Sequence, residues 1–145
     1  MTPNAHLVQD PELDLYVQAV LGKKAMGVVV LDVRHLTSVA DFFVICSGRS
    51  NRQVTAIAEH IHTSLKGSRI QPLSVEGKRE GHWVLMDYGT AIIHIFYEPV
   101  RRFYDLEGLW ADARRIVTPA LERLAKQQAR DTQPGENDFD SGNQA

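Results

Sequence analysis

The feature that most constrains how this chain folds is the stretch from Trp83 to Glu98, in which two apolar runs flank Tyr88-Gly89. Runs rich in Val, Ile and aromatic residues, split by a glycine able to take positive φ, form a β-hairpin. With Tyr88-Gly89 as a two-residue loop, Asp87 faces Thr90, Leu85 faces Ile92 and Trp83 faces His94; a three-residue loop would change this pairing. Because side chains alternate, Val84, Met86, Ala91, Ile93, Ile95 and Tyr97 share one face, a core face. Trp83, Leu85, Asp87, Thr90, Ile92 and His94 share the other, which mixes aromatic, apolar and polar groups as surfaces that meet another protein do. At a tight turn Tyr88 is expected to stay exposed, forming a hot spot with Trp83 and the neighbouring acid. Trp83 reads equally well as a core aromatic.

Upstream, Leu13, Tyr16, Val17, Val20 and Leu21 recur at three- and four-residue steps, so a helix is expected from about Pro11 to Lys24, capped by Asp10. The runs Val28–Val33 and Phe42–Cys46 are continuously apolar, as in covered strands, and the polar segment His35–Asp41 connects them. Ser50-Asn-Arg-Gln53 has the spacing of a capping box, opening a helix whose stripe is Val54, Ile57, Ala58, Ile61 and Leu65 and whose terminator is Gly67. Ile70–Val75 reads as a weak edge strand because it contains Pro72, and Glu76–His82 as a charged loop. Pro99 opens a further helix with Val100, Phe103, Tyr104, Leu106 and Leu109 on its buried side and a break at Gly108. Ile116–Lys126 reads as an amphipathic C-terminal helix, and the apolar pattern stops at Gln127. The expected organisation is a single α/β domain over 1–126, a mixed β-sheet with helices packed on it, followed by a disordered tail over 127–145.

A chain of 145 residues, 43% apolar, can bury one proper core. No run approaches the ~20 apolar residues of a membrane span, and the start Met-Thr-Pro-Asn-Ala-His lacks the features of a secretory signal, so a soluble, cytoplasmic protein is expected. The single cysteine, Cys46, ends an apolar strand and reads as a small buried hydrophobe rather than a nucleophile. A formal charge of −2 argues against affinity built mainly on phosphate neutralisation, leaving little direct nucleic-acid contact. His60 and His62 are two apart on a helix, and neither Cys-x-x-Cys nor His-Glu-x-x-His accompanies them, so no metal or cofactor is expected. Ser47–Arg52 sits between a strand and a helix start, where N–H groups and two arginines can hold a phosphate. It lacks both glycine-rich phosphate fingerprints and reads as a capped turn. Arg101 and Arg102, placed in a first helical turn, oppose the macrodipole by about 0.3–1 kcal/mol each, and serve a nearby carboxylate, a partner or solvent.

Taken in order, Asp32-Val, Ser38-Val-Ala-Asp-Phe-Phe-Val-Ile-Cys-Ser-Gly48, Ser50-Asn-Arg-Gln-Val54, Val75-Glu-Gly77, Trp83-Val-Leu-Met-Asp-Tyr-Gly89, His94-Ile-Phe and Arg102-Phe-Tyr-Asp-Leu-Glu-Gly-Leu-Trp110 closely resemble the ribosomal silencing factor family, also called the Iojap family. The match spans about Leu13 to Trp110, the family core (about 13–110); the segment at about 116–126 and the acidic tail lie outside it. The resemblance implies a nucleotidyltransferase-like α/β fold, homodimeric when free, that binds the fourteenth protein of the large ribosomal subunit. It would thereby block joining of the small subunit and repress translation when nutrients are short. Carried across, the family's binding tryptophan is Trp83, and the turn after it is Asp87, Tyr88 and Gly89, with tyrosine where some relatives have leucine. Leu85 completes the expected partner-binding set.

Nucleotidyl transfer needs two carboxylates at adjacent strand positions to hold magnesium over the phosphates. Here the strand offers Asp87, and two residues earlier stands Leu85, so no catalytic residue is assigned. The acids Glu76, Glu80 and Asp87 beside the apolar patch suit a basic ribosomal protein. The alternatives are a nucleotidyl- or phosphoryl-transfer enzyme using the Gly48 turn with Asp32, Asp41 or Asp87, and a large-subunit assembly factor sharing the docking site.

Overall fold

The two most apolar runs of the chain lie side by side in the middle of the sheet. In the computed structural model, which describes residues 5–132, the elements are β1 (His6–Leu7), α1 (Pro11–Leu21), β2 (Met26–Asp32), β3 (Phe42–Gly48), α2 (Asn51–Gly67) and β4 (Ser74–Glu76). They continue with β5 (Trp83–Asp87), β6 (Ala91–Tyr97), α3 (Glu98–Tyr104), α4 (Leu106–Leu109), β7 (Arg114–Val117) and α5 (Pro119–Thr132). The strands form one mixed sheet in the order β1-β7-β2-β3-β6-β5-β4, with β3 and β6 parallel and β5 antiparallel to β6. Every residue of β3 is buried, which requires cover on both faces. On one face, Val44, Cys46, Val84, Ile93 and Ile95 pack with Leu13 and Val17 of α1 and Val54, Ile57 and Ile61 of α2. On the other, Leu31, Phe43, Ile45, Ile92 and Phe96 meet Leu106 of α4, with Val100 and Trp110 at the margin.

The helix starts follow local chemistry. The Asp10 carboxylate accepts the Leu13 N–H at 3.1 Å, and the Ser50 hydroxyl accepts the Gln53 N–H at 3.0 Å. The Gln53 amide oxygen takes the Arg49 N–H at 2.6 Å, one residue before the capping-box position. At the far end of α2, Gly67 is still helical, and the left-handed residue is Arg69 (φ 63°). There the N–H groups of Arg69 and Ile70 return to the carbonyls of Lys66 and Leu65, a Schellman closure.

Three expectations are corrected by the structure. Ile116 and Val117 do not begin a helix: they are β-branched, precede Thr118-Pro119, and pair with β2 (Val30↔Ile116) and β1 (His6↔Ile116). The helix that follows extends to Thr132, so the segment read as tail from Gln127 starts as helix; Gln127, Gln128 and Arg130 favour it, and the Gln127 amide donates to Asp131 at 3.1 Å. The remainder, 133–145, lies outside the described residues. Finally, the helix after Pro99 breaks at Asp105, which takes φ 47° and caps α4 by accepting the Gly108 N–H at 3.2 Å.

That break undoes the expected apolar stripe. Leu106 is buried, whereas Phe103 and Leu109 are 81% and 77% exposed. It also puts Arg101 and Arg102 in the last turn of α3, where positive charge is favourable. Arg101 reaches the Glu107 carboxylate at 2.9 and 3.1 Å, the Ser47 hydroxyl at 2.7 Å and the Gly27 carbonyl at 2.8 Å, tying α3 and α4 to the ends of β2 and β3.

Candidate protein-docking face

The hairpin sits near one edge of the sheet, with only β4 outside it. Its register pairs Trp83 with Phe96, Leu85 with His94 and Asp87 with Ile92. The loop is therefore Gly89-Thr90 rather than Tyr88-Gly89, closed by the Tyr88 N–H on the Ala91 carbonyl at 2.9 Å. Gly89 supplies φ 84° at the first loop position, and the Asp87 carboxylate accepts its N–H at 2.8 Å. The pairing moves by two residues, an even number, so the two faces keep the composition read from alternation. Trp83, Leu85 and Asp87 are half-buried, and Val84 and Met86 between them are buried.

Tyr88 is where the expectation fails. As the last residue before the loop it belongs to the core face, with 8% of its surface exposed, and its ring lies 5.4 Å from that of Tyr16 on α1. Burial pushes its phenol up to about 12, and its hydroxyl has no hydrogen-bond partner among the described residues. Tyr88 thus supports the turn from inside, and exposure stays with Trp83, Leu85, Asp87 and Gly89.

The side of the sheet that carries Trp83 is incompletely covered. The short helices α3 and α4 sit over β3 and β6, and their cover thins over β5 and β4. Across the β4 ladder, Glu76 stands opposite Leu85 and Ser74 opposite Asp87, and both β4 residues are exposed. Among the described residues, no ion pair neutralises Glu76 or Asp87. Trp83 stacks on Phe96 (4.8 Å, 29°) and touches Tyr104 (5.1 Å). Tyr104 and Phe103, themselves in edge-to-face contact at 5.1 Å, extend the aromatic surface onto α3. Sequence reasoning missed them by continuing one helix through Asp105. The signal that could have found them is Asp105-Leu-Glu-Gly108, itself a helix-start pattern.

A family model described as "Ribosomal silencing factor during starvation" matches residues 8–143. A ribosomal silencing factor from Halalkalibacterium halodurans is 42% identical over 104 residues, covering 72% of this chain and 89% of the relative. The chain belongs to the ribosomal silencing factor family. The crystal structure of a Chromobacterium violaceum protein superposes with a TM-score of 0.68 at 33% identity, over 72% of this chain and 88% of that one. A mouse relative named mitochondrial assembly of ribosomal large subunit protein 1 is 29% identical over 111 residues, 74% of this chain and 49% of the relative.

Two of the features that a transferase would use, Asp32 and the Ser47–Arg52 turn, make contacts within the fold. Asp32 receives two hydrogen bonds from the Arg34 guanidinium, at 3.0 and 2.7 Å, which hold its carboxyl below the usual range. The Ser47–Arg52 turn spends its hydroxyls on Arg101 and on the helix cap. Burial pushes the Cys46 thiol up to about 12, far from a nucleophilic thiolate at neutral pH. Among the described residues, no group of three His, Cys, Asp or Glu side chains could hold a metal ion. No described helix is long and apolar enough to cross a membrane.

Proposed function

We propose that this chain silences ribosomes by docking on the large ribosomal subunit through the β5–β4 face and occupying the surface that the small subunit needs, repressing translation when nutrients are short. The observation that carries the reading is the open face itself: a half-buried Trp83 and Leu85 flanked by Asp87 and Glu76, whose charges no described cation neutralises. Such a patch is complementary to a basic ribosomal protein, and the resemblance points to the fourteenth protein of the large subunit. Steric blocking asks only for a standard interface of roughly 800 Å² per partner. In this reading the protein is no enzyme, needs no cofactor, works in the cytoplasm, contacts little RNA directly and pairs with itself when free. Asp32 locked by Arg34 and Leu85 at the position a second carboxylate would need support the absence of nucleotidyl transfer. They also suit a nucleotidyltransferase-like fold that has lost its chemistry.

The test is co-sedimentation with purified large subunits, followed by addition of small subunits. The native chain should travel with the large subunit and lower the joined fraction, and Trp83→Ala should do neither. Binding by Trp83→Ala at native strength would remove the site assignment. The mouse relative's name favours a second reading, assembly of the large subunit through the same face. Cells lacking the protein would then accumulate immature large particles, whereas loss of silencing would leave excess joined ribosomes during starvation.

A further inference from the structure

His94 occupies a position where an apolar side chain would be expected: it is 5% exposed, on a strand whose other buried residues are all apolar. Its ring is enclosed by Phe43 of β3, edge-on at 5.1 Å, and by Phe96 of its own strand at 6.3 Å. Its Nδ1 accepts the indole N–H of Trp83 at 3.2 Å, a diagonal contact across the β5–β6 ladder. An indole nitrogen can only donate, so Nδ1 carries the lone pair and the proton of the neutral imidazole sits on Nε2. That Nε2 is buried and has no hydrogen-bond partner among the described residues. A buried donor left open is costly, and a phenylalanine or leucine here would pack without that cost. The ring must therefore supply something an apolar residue cannot, and among the described residues its one side-chain hydrogen bond is with the indole nitrogen of Trp83.

We infer that His94 is a positioning residue for the docking face: by accepting the Trp83 N–H it fixes the indole flat on Phe96 and against Tyr104, in the orientation a partner protein would meet. Without the acceptor, the indole nitrogen would seek water and the ring would turn off Phe96. The exposed surface would then lose a rigid anchor, and binding would carry the cost of ordering it. The inference rests on the reading of the β5–β4 face as the docking surface.

Two variants of the full chain test it. His94→Phe keeps an aromatic ring and removes the acceptor, and His94→Asn places an amide oxygen near the position of Nδ1. In a Trp110→Phe background, the one remaining indole N–H resonance reports Trp83 directly. It should lie downfield and exchange slowly when His94 is retained and in His94→Asn, and move upfield and exchange fast in His94→Phe. Large-subunit affinity, measured without the Trp110 change, should fall about fivefold in His94→Phe, the worth of one net hydrogen bond, and return in His94→Asn. An unmoved indole resonance in His94→Phe, or native affinity despite a moved one, would overturn the inference. If Trp83→Ala itself binds at native strength, the docking reading falls and takes this inference with it, although the indole signal would still register the hydrogen bond.

Discussion

The two faces of the β5–β6 hairpin come from one short stretch of chain, yet they meet different fates. On the α1–α2 side, Val84, Met86, Ile93 and Ile95 are sealed under two long helices. On the other side, Ile92, His94 and Phe96 are covered by two short helices that reach β5 at Trp83, through Tyr104, and Trp83 and Leu85 stay half in water. Cover is therefore what separates a stabilising face from a recognition face, since both present large apolar side chains. A face closed by its own chain contributes its transfer free energy to folding, whereas a half-covered one retains part of it for a partner.

The sharpest way to break this contrast is to cut a hole on the sealed side. Ile93→Ala should destabilise the protein by about 2–5 kcal/mol in urea unfolding while leaving large-subunit binding intact wherever the chain is folded. Equal damage to binding would mean that the two faces are not independent.

The next effect in size is a response to acid that comes from the half-covered side. Burial lowers the His94 pKa from 6.5 to about 4. Between those values the unfolded chain binds a proton that the folded chain does not, so stability is intact above about pH 6.5 and falls as pH drops towards 4, by up to ~3 kcal/mol. His94→Phe should flatten that stretch of the pH–stability curve. Asp32 acts below it: its carboxyl, held down by Arg34, adds stability above its unfolded value of 3.8 that is lost as pH falls further.

A smaller effect, read in binding rather than folding, belongs to Trp83. Trp83→Ala should weaken large-subunit binding by about 2 kcal/mol, roughly 30-fold, as an aromatic anchor does. Its cost in stability should be below that of Ile93→Ala, because the indole is only half-buried. Smallest of all is Tyr88→Phe, which removes a buried hydroxyl that has no partner among the described residues. Its stability should stay within ~1 kcal/mol of native, with any change towards greater stability, and binding should not move. Lost binding would return Tyr88 to the docking face.

Much of this was legible locally. The caps at Asp10 and Ser50 were visible because they depend on residues three apart. The stripe of α2 was visible because its period is that of a long helix under one cover. The two faces of the hairpin survived an error in the turn because the error was an even number of residues. Tyr88 was not legible: whether it or Thr90 enters the loop depends on which register lets its ring reach Tyr16, far away along the chain. The exposure of Phe103 and Leu109 was hidden for a related reason. Their spacing suits one helix, and the left-handed Asp105 splits it in two.

Local pattern was enough to set most of the strands, the starts of α1 and α2, the division of the hairpin into an apolar and a mixed face, and the family. Each follows from alternation, side-chain chemistry or motif order within short reach along the chain. It took the packed fold to settle which face is sealed, that Tyr88 props the turn from beneath, and that His94 holds the indole of Trp83. Those depend on how far α3 and α4 extend across the sheet and on which side chains meet across it. The cover and the Tyr88–Tyr16 contact join segments distant in sequence, where local patterns carry no register, and the His94–Trp83 bond follows from the two-residue register shift within the hairpin.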